Sequence, residues 1–315
     1  MADIVLALAT SHSPQLSIAA ENWGLLTLKD ESDPRLDYAG LLKTAGSHIA
    51  AEITREKWQQ RHNASQAAIA TLGRVLDEAH PDVVVIFGDD QHEQFFDDNL
   101  PTFAIYHGDA LPLFTRKGKL SGWKQAEQTA WAATATEYQN DVELSEYLIS
   151  WLSDHEFDIA RSNKMREGIG HAFSFLYRRI LPGGRVPLIP IMVNTYFPPN
   201  QPTPGRCYSL GTSVREAIEA WDSNKRVALM ASGGLSHFVI DEELDRNLLD
   251  ALARQDAAAL HALPRHKLRS GTSEILNWVA LGGAVEGMKM TLVDYVPSYR
   301  SPAATGCGMG FAYWT

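Results

Sequence analysis

Short, nearly unbroken apolar runs, many of their residues β-branched, recur along this chain: IVLALAT (4–10), DVVVIFG (82–88), PTFAIY (101–106), VPLIPIMVN (186–194), RVALMASGG (226–234) and TLVDYVP (291–297). Apolarity without alternation over so few residues marks strands covered on both faces. Longer stretches with helical spacing lie between them, at 39–53, 62–80, 142–155, 209–221, 243–263 and 273–288. The alternation predicts an α/β fold, a single domain over residues 1–315, with a central mixed or largely parallel sheet sandwiched by helices. Residues 20–65 are more polar and read as a surface excursion from that domain.

The charge balance narrows the partners. With 38 acidic against 28 basic residues the net charge is -10, which argues against a surface built to neutralise phosphates, so nucleic acid is not an expected partner. The start, MADIVLALATSHSP, has no basic stretch, and its apolar run is too short for a signal peptide or a membrane span. It reads as the first strand of a cytoplasmic protein. Cys207 and Cys307 form neither a disulfide framework nor a CxxC pair, and are expected as buried small hydrophobes.

In α/β sheets the chemistry collects beyond the carboxyl ends of the strands. Three of the 11 histidines fall at such ends: His12 in SHS after the first run, His92 in GDDQHE after the second, and His237 in GGLSHF after the 226–234 run. Their convergence would make a metal or acid/base site. Two imidazoles and one carboxylate form the set that leaves positions open on non-haem Fe(II). Asp89, Asp90 and Glu93 lie beside His92, Glu242 and Glu243 follow His237, and Glu274 opens a helix after SGTS. Spacing does not choose among these carboxylates.

Beyond these residues the chain resembles the class III extradiol ring-cleavage dioxygenases, the family of the protocatechuate 4,5-dioxygenase catalytic subunit, gallate dioxygenase and 3-O-methylgallate dioxygenase. The resemblance is carried, in family order, by ATSHSP (9–14), VVVIFGDDQHEQFFD (83–97), PTFAIY (101–106), GIGHAFSF (168–175), VNTYFPPNQPTPGRCYSLGTSVREAI (193–218), GGLSH (233–237), SGTSEILNW (270–278) and TGCGMGF (305–311). It implies Fe(II) as cofactor, with His12, His92 and Glu274 as metal ligands and Trp278 one turn after the glutamate. It implies His237 as an acid/base outside the metal sphere and His171 as a further active-site histidine. The substrates it implies are O2 and a small dihydroxylated aromatic of the catechol or gallate kind, both oxygen atoms being inserted as the ring opens. It also implies a homo-oligomer, a dimer, with the site covered by a partner copy, a small helical lid subunit or the 20–65 excursion.

With this set, a catecholate chelates the metal and O2 binds beside it. His237, with an ordinary pKa near 6.5, can take a phenolic proton and return it as the O–O bond breaks. The pattern departs from the protocatechuate enzymes near the last strand. Ala303 and Ala304 stand where those enzymes place a Ser-Asn pair for the substrate carboxylate, leaving Arg300 or Tyr299 to compensate. Two other readings compete: a Zn(II) hydrolase on the same triad, which suits zinc equally, and a non-catalytic relative that only binds.

Overall fold

The computed structural model describes residues 1–112, 137–166, 168–183 and 186–315. Among the described residues ten strands follow in chain order: β1 (Asp3–Thr10), β2 (Val83–Asp89), β3 (Phe103–Tyr106), β4 (Ala110–Pro112), β5 (Glu137–Gln139), β6 (Ala160–Ser162), β7 (Leu188–Val193), β8 (Arg226–Ser232), β9 (Met290–Tyr299) and β10 (Gly306–Trp314). Eight of them form one sheet in the order β6-β3-β7-β2-β8-β1-β10-β9, and β4 and β5 pair as a separate ribbon. β7, β2, β8 and β1 run parallel in the middle. Antiparallel strands flank them, β10 and β9 beyond β1, and β3 beyond β7.

The unalternating sequence of β2 has a direct structural cause: all seven of its residues are buried. Val83, Val85 and Phe87 face one core, and Val84 and Ile86 the other. The first core is closed by residues of the helices Val142–Asp154, Pro204–Ala220, Glu242–Ala253 and Ile275–Ala284, and the second by the long helix Arg55–Ala79 and the short one His171–Phe175. The helix Ile275–Ala284 is buried along its entire length, which suits its lack of any charge.

The helices differ from expectation where caps intervene. The 39–53 stretch splits into Tyr38–Thr44 and Ile49–Glu52 around Gly46. The 243–263 stretch breaks after Ala253, because Gln255 takes a positive φ and Asp256 caps a new helix at the Ala259 amide. The 62–80 helix starts earlier, at Arg55, where Thr54 accepts from the Lys57 amide. β10 escapes the apolar-run test because Gly306, Gly308 and Gly310 dilute its pattern.

Residues 20–65 fold back toward β9. The Trp58 indole donates to the Tyr299 carbonyl, the Thr27 hydroxyl donates to the Arg300 carbonyl, and buried Asp30 holds the Arg300 guanidinium through two bonds of 2.6 and 2.7 Å. Among the described residues no helix is long and apolar enough to cross a membrane.

Candidate active site

Because β1, β2 and β8 are parallel neighbours, their carboxyl ends share one edge, and His12, Asp89 and Ser232 come together there. The tautomer of His12 follows from its surroundings. The Ser232 hydroxyl gives its proton to the Ala172 carbonyl at 2.5 Å, so it must accept from His12 Nδ1, 3.1 Å away. The lone pair of His12 therefore sits on Nε2, and Nε2 lies 3.3 Å from Glu274 Oε2. Protonation does not relieve this meeting of two acceptors, since burial lowers the His12 pKa to about 3. A cation between the two groups does relieve it.

Glu274 is 1% exposed and accepts on both oxygens. Its Oε2 accepts from the Gly234 amide at 2.8 Å, and its Oε1 accepts from Gln91 Nε2 at 3.0 Å and from the Tyr196 hydroxyl at 3.2 Å. Burial opposes its charge, but the neighbouring His237 prevails and holds the carboxyl below its ordinary range. Gly233, with φ +132, is needed on the opposite wall: a Cβ there would stand 2.9 Å from Glu274 Oε2.

Asp89, the fully buried last residue of β2, accepts from Gln91 Nε2 at 2.8 Å and faces Asn277. Burial, and then the charge of Glu274, push its pKa up to about 8. His12, Asp89 and His171 each offer one ligating atom, and these three atoms lie within 4.8 Å of one another. The His12 and His171 rings meet edge to face with centroids 4.5 Å apart. His171 Nδ1 is 2.8 Å from the half-buried Glu93. Burial disfavours the imidazolium of His171, but Glu93 outweighs it and the pKa rises to about 9.

His237 occupies the open side of this group. Its Nδ1 donates to the Leu235 carbonyl at 2.9 Å and its Nε2 is 3.2 Å from Glu274 Oε1. Burial disfavours its charge, yet Glu274 overcomes that and raises the pKa well above the usual histidine value, so the ring donates to Glu274. Thr272 fixes the backbone: its hydroxyl accepts from the His237 amide at 3.0 Å and donates to the His237 carbonyl at 2.8 Å. Gly271 leaves room for the ring, because a Cβ there would fall 2.0 Å from His237 Cδ2.

The structure thus brings together His12, His171, His237 and Glu274, and leaves His92 apart. His92 has φ +59, its ring stacks on Phe197 with centroids 3.8 Å apart, and its Nε2 faces Asp97 at 3.4 Å. No hydrogen bond or ion pair joins it to the cluster among the described residues. Asp90 is turned away too, accepting from the Gln94 and Phe95 amides. Arg300 is committed to Asp30, and the Tyr299 hydroxyl lies 3.1 Å from Glu242, so neither is free to hold a substrate carboxylate. Arg35, paired with Asp33, instead lies over the Phe238 ring at 4.6 Å, next to His237.

Sequence reasoning passed over Gln91, Tyr196, Ser232 and Thr272, whose types carry no signal by themselves. It kept Asp89 only as one carboxylate among several. A signal existed: an aspartate closing a fully apolar strand is a carboxylate headed for burial, and a buried carboxylate needs a partner.

Residues 45–310 match the model of the catalytic LigB subunit of aromatic ring-opening dioxygenase. The chain is 30% identical over 195 residues to a 2,3-dihydroxyphenylpropionate/2,3-dihydroxicinnamic acid 1,2-dioxygenase of Rhodococcus sp, covering 61% of this chain and 55% of that protein. It is 28% identical over 176 residues to a gallate dioxygenase of Pseudomonas putida, covering 52% of this chain and 50% of that protein. The matched part thus spans about half the length of these relatives. In fold, the chain is similar to the crystal structure of an uncharacterized protein from Escherichia coli K12, with a TM-score of 0.53 at 13% identity, covering 98% of this chain and 99% of that one. With most of its length matched by one family model, the chain belongs to the family of catalytic LigB subunits of aromatic ring-opening dioxygenases.

Proposed function

We propose that this chain is a metal-dependent extradiol dioxygenase that opens the ring of a catechol-type aromatic with O2. Fe(II) would be held by His12, Asp89 and His171, with Glu274 closing the set from the side of His237. The observation that carries this reading is the unbridged pair of acceptors, His12 Nε2 and Glu274 Oε2, beside two further potential ligands. Two histidines and one carboxylate form the donor set that leaves open positions on Fe(II). The names of the relatives, gallate and dihydroxyphenylpropionate dioxygenases, support a dihydroxylated aromatic as substrate.

When bound, the ion supplies a place where both phenolic oxygens and O2 meet. The protein does the rest. Ser232 keeps the proton of His12 on Nδ1, and the Leu235 carbonyl does the same for His237, so His237 exchanges protons through Nε2 alone. With its side chain 15% exposed, against 2% for Glu274, His237 is the group placed to move a proton between phenol and oxygen. Both oxygen atoms enter the product, one carbon–carbon bond breaks, and no external reductant is consumed. Residues 20–65, which bring Arg35 to the mouth, serve as cover and offer a cation to a substrate carboxylate.

The test is anaerobic reconstitution with Fe(II), addition of gallate, 3-O-methylgallate, protocatechuate or homoprotocatechuate, and admission of air. O2 uptake with a yellow ring-opened product is expected for at least one of them. No uptake with any, alongside ester or amide hydrolysis with Zn(II), would sink the reading. For the ligands, iron content is measured directly: His12→Ala and Asp89→Asn lose it, and His92→Ala and His237→Phe keep it. Iron lost from His92→Ala and kept by Asp89→Asn would restore His92 to the ligand set.

A further inference from the structure

Residues 264–269, PRHKLR, form a strongly basic stretch in an otherwise acidic chain. Lys267 is accounted for by a 2.7 Å pair with Asp241. Arg265, His266 and Arg269 are not: they line a cavity of about 290 Å³ whose other walls include Leu268, Leu276 and the prolines at the start of the helix Pro204–Ala220. Among the described residues no acidic one lines it. Among the described residues the side chains of Arg265 and Arg269 make no hydrogen bond or ion pair, whereas Arg61, Arg246, Arg254 and Arg300 are each paired with a carboxylate. The positive end of the Pro204–Ala220 dipole adds to the cationic side. The volume is at the lower end of the range for small-ligand pockets, enough for a single-ring compound.

We propose that this hollow binds a small organic carboxylate, its anionic head between Arg265 and Arg269 and its apolar body against Leu268 and Leu276. The two arginines give the charge-assisted, fork-shaped donors that suit a carboxylate. The apolar wall selects against a bare inorganic ion, which would leave it wet. The site lies outside the histidine cluster and does not depend on what the cluster catalyses.

His266 supplies a reporter at the site itself. Its ring resonances, identified by their loss in His266→Gln, are followed by NMR in the full chain during titration with benzoate, inorganic phosphate and benzyl alcohol. Benzoate is expected to shift them saturably, at one molecule per chain, and to bind on the order of tenfold or more tighter than either control. Arg265→Gln/Arg269→Gln, exchanged at exposed positions, should weaken benzoate at least tenfold while its melting temperature stays that of the wild type. Benzoate that leaves His266 unmoved, or binds the double variant as well as the wild type, overturns the proposal. Phosphate that binds as tightly as benzoate overturns it as well, since the apolar wall would then contribute nothing.

Discussion

Ser232 shows how much of a site a single unremarkable residue can fix. Its hydroxyl bridges His12 Nδ1 and the Ala172 carbonyl, and so decides which nitrogen of His12 carries the lone pair. Partners of this kind are typically worth 10- to 100-fold in metal affinity. Ser232→Ala is therefore expected to weaken Fe(II) binding by about that factor without loss of fold, as read by competition with a calibrated chelator; unchanged affinity would show that the hydroxyl does not set the tautomer. His12 and His237 stood out as titratable residues just past apolar runs, whereas Glu274 was one carboxylate among several and His171 was named only through the family resemblance. Ser232 was not legible, because serine at the end of a strand has many ordinary uses. His92 follows β2 closely in sequence, but the chain turns with φ +59 there and its ring stacks on Phe197.

At the level of elements, the turn 233–237 is held from two sides. Thr272, before the helix Ile275–Ala284, clamps His237, and Asp245, on the helix Glu242–Ala253, accepts from the Ser236 amide, the Ser236 hydroxyl and the Tyr295 hydroxyl at 2.7 to 2.8 Å. Burial nonetheless raises the Asp245 pKa from 3.8 to about 6. A carboxyl whose pKa is higher in the folded state favours folding fully below its unfolded pKa, and that contribution is lost as pH rises through the folded value. Wild type should therefore lose stability relative to Asp245→Asn between about pH 4 and pH 6, by about 3 kcal/mol in total, measured by urea unfolding across that window. A difference that stays flat over the window would mean the three donors offset the burial completely. A second joint ties residues 20–65 to the sheet: Asp30, fully buried, against Arg300, 6% exposed. Asp30→Ala leaves an uncompensated buried guanidinium and should cost roughly 3–5 kcal/mol. Adding Arg300→Met should recover part of that, and hydrogen exchange in residues 20–52 should quicken in the single variant. Neither joint was legible, since Asp30, Asp245 and Arg300 look in the sequence like ordinary surface charges and their partners are set by the fold.

For the whole molecule, the legible part was the parallel heart of the sheet. The runs that became β1, β2, β7 and β8 had to be buried on both faces, and parallel strands place their carboxyl ends along one edge. From that rule alone, residues just after Thr10, Val193 and Ser232 and at the end of β2 share a crevice, and His12, Tyr196, His237 and Asp89 do. The same architecture gathers three carboxylates, Asp89, Glu93 and Glu274, into one place, and its histidines do not answer them all: His171 answers Glu93 and His237 answers Glu274, whereas His12 stays neutral and burial disfavours the charge of Asp89. A divalent cation resolves this imbalance in the folded state only, so its binding should appear as folding stability. At a free metal concentration 100 times the dissociation constant the increment is about 2.7 kcal/mol, a rise of a few degrees in melting temperature for a chain of this size. Chelation under anaerobic conditions should remove that increment from the wild type and from His92→Ala, and find none to remove in Asp89→Asn. A metal-loaded wild type whose melting temperature ignores the chelator would mean that the cluster holds its charges without an ion, and the proposed chemistry would have no centre to act from.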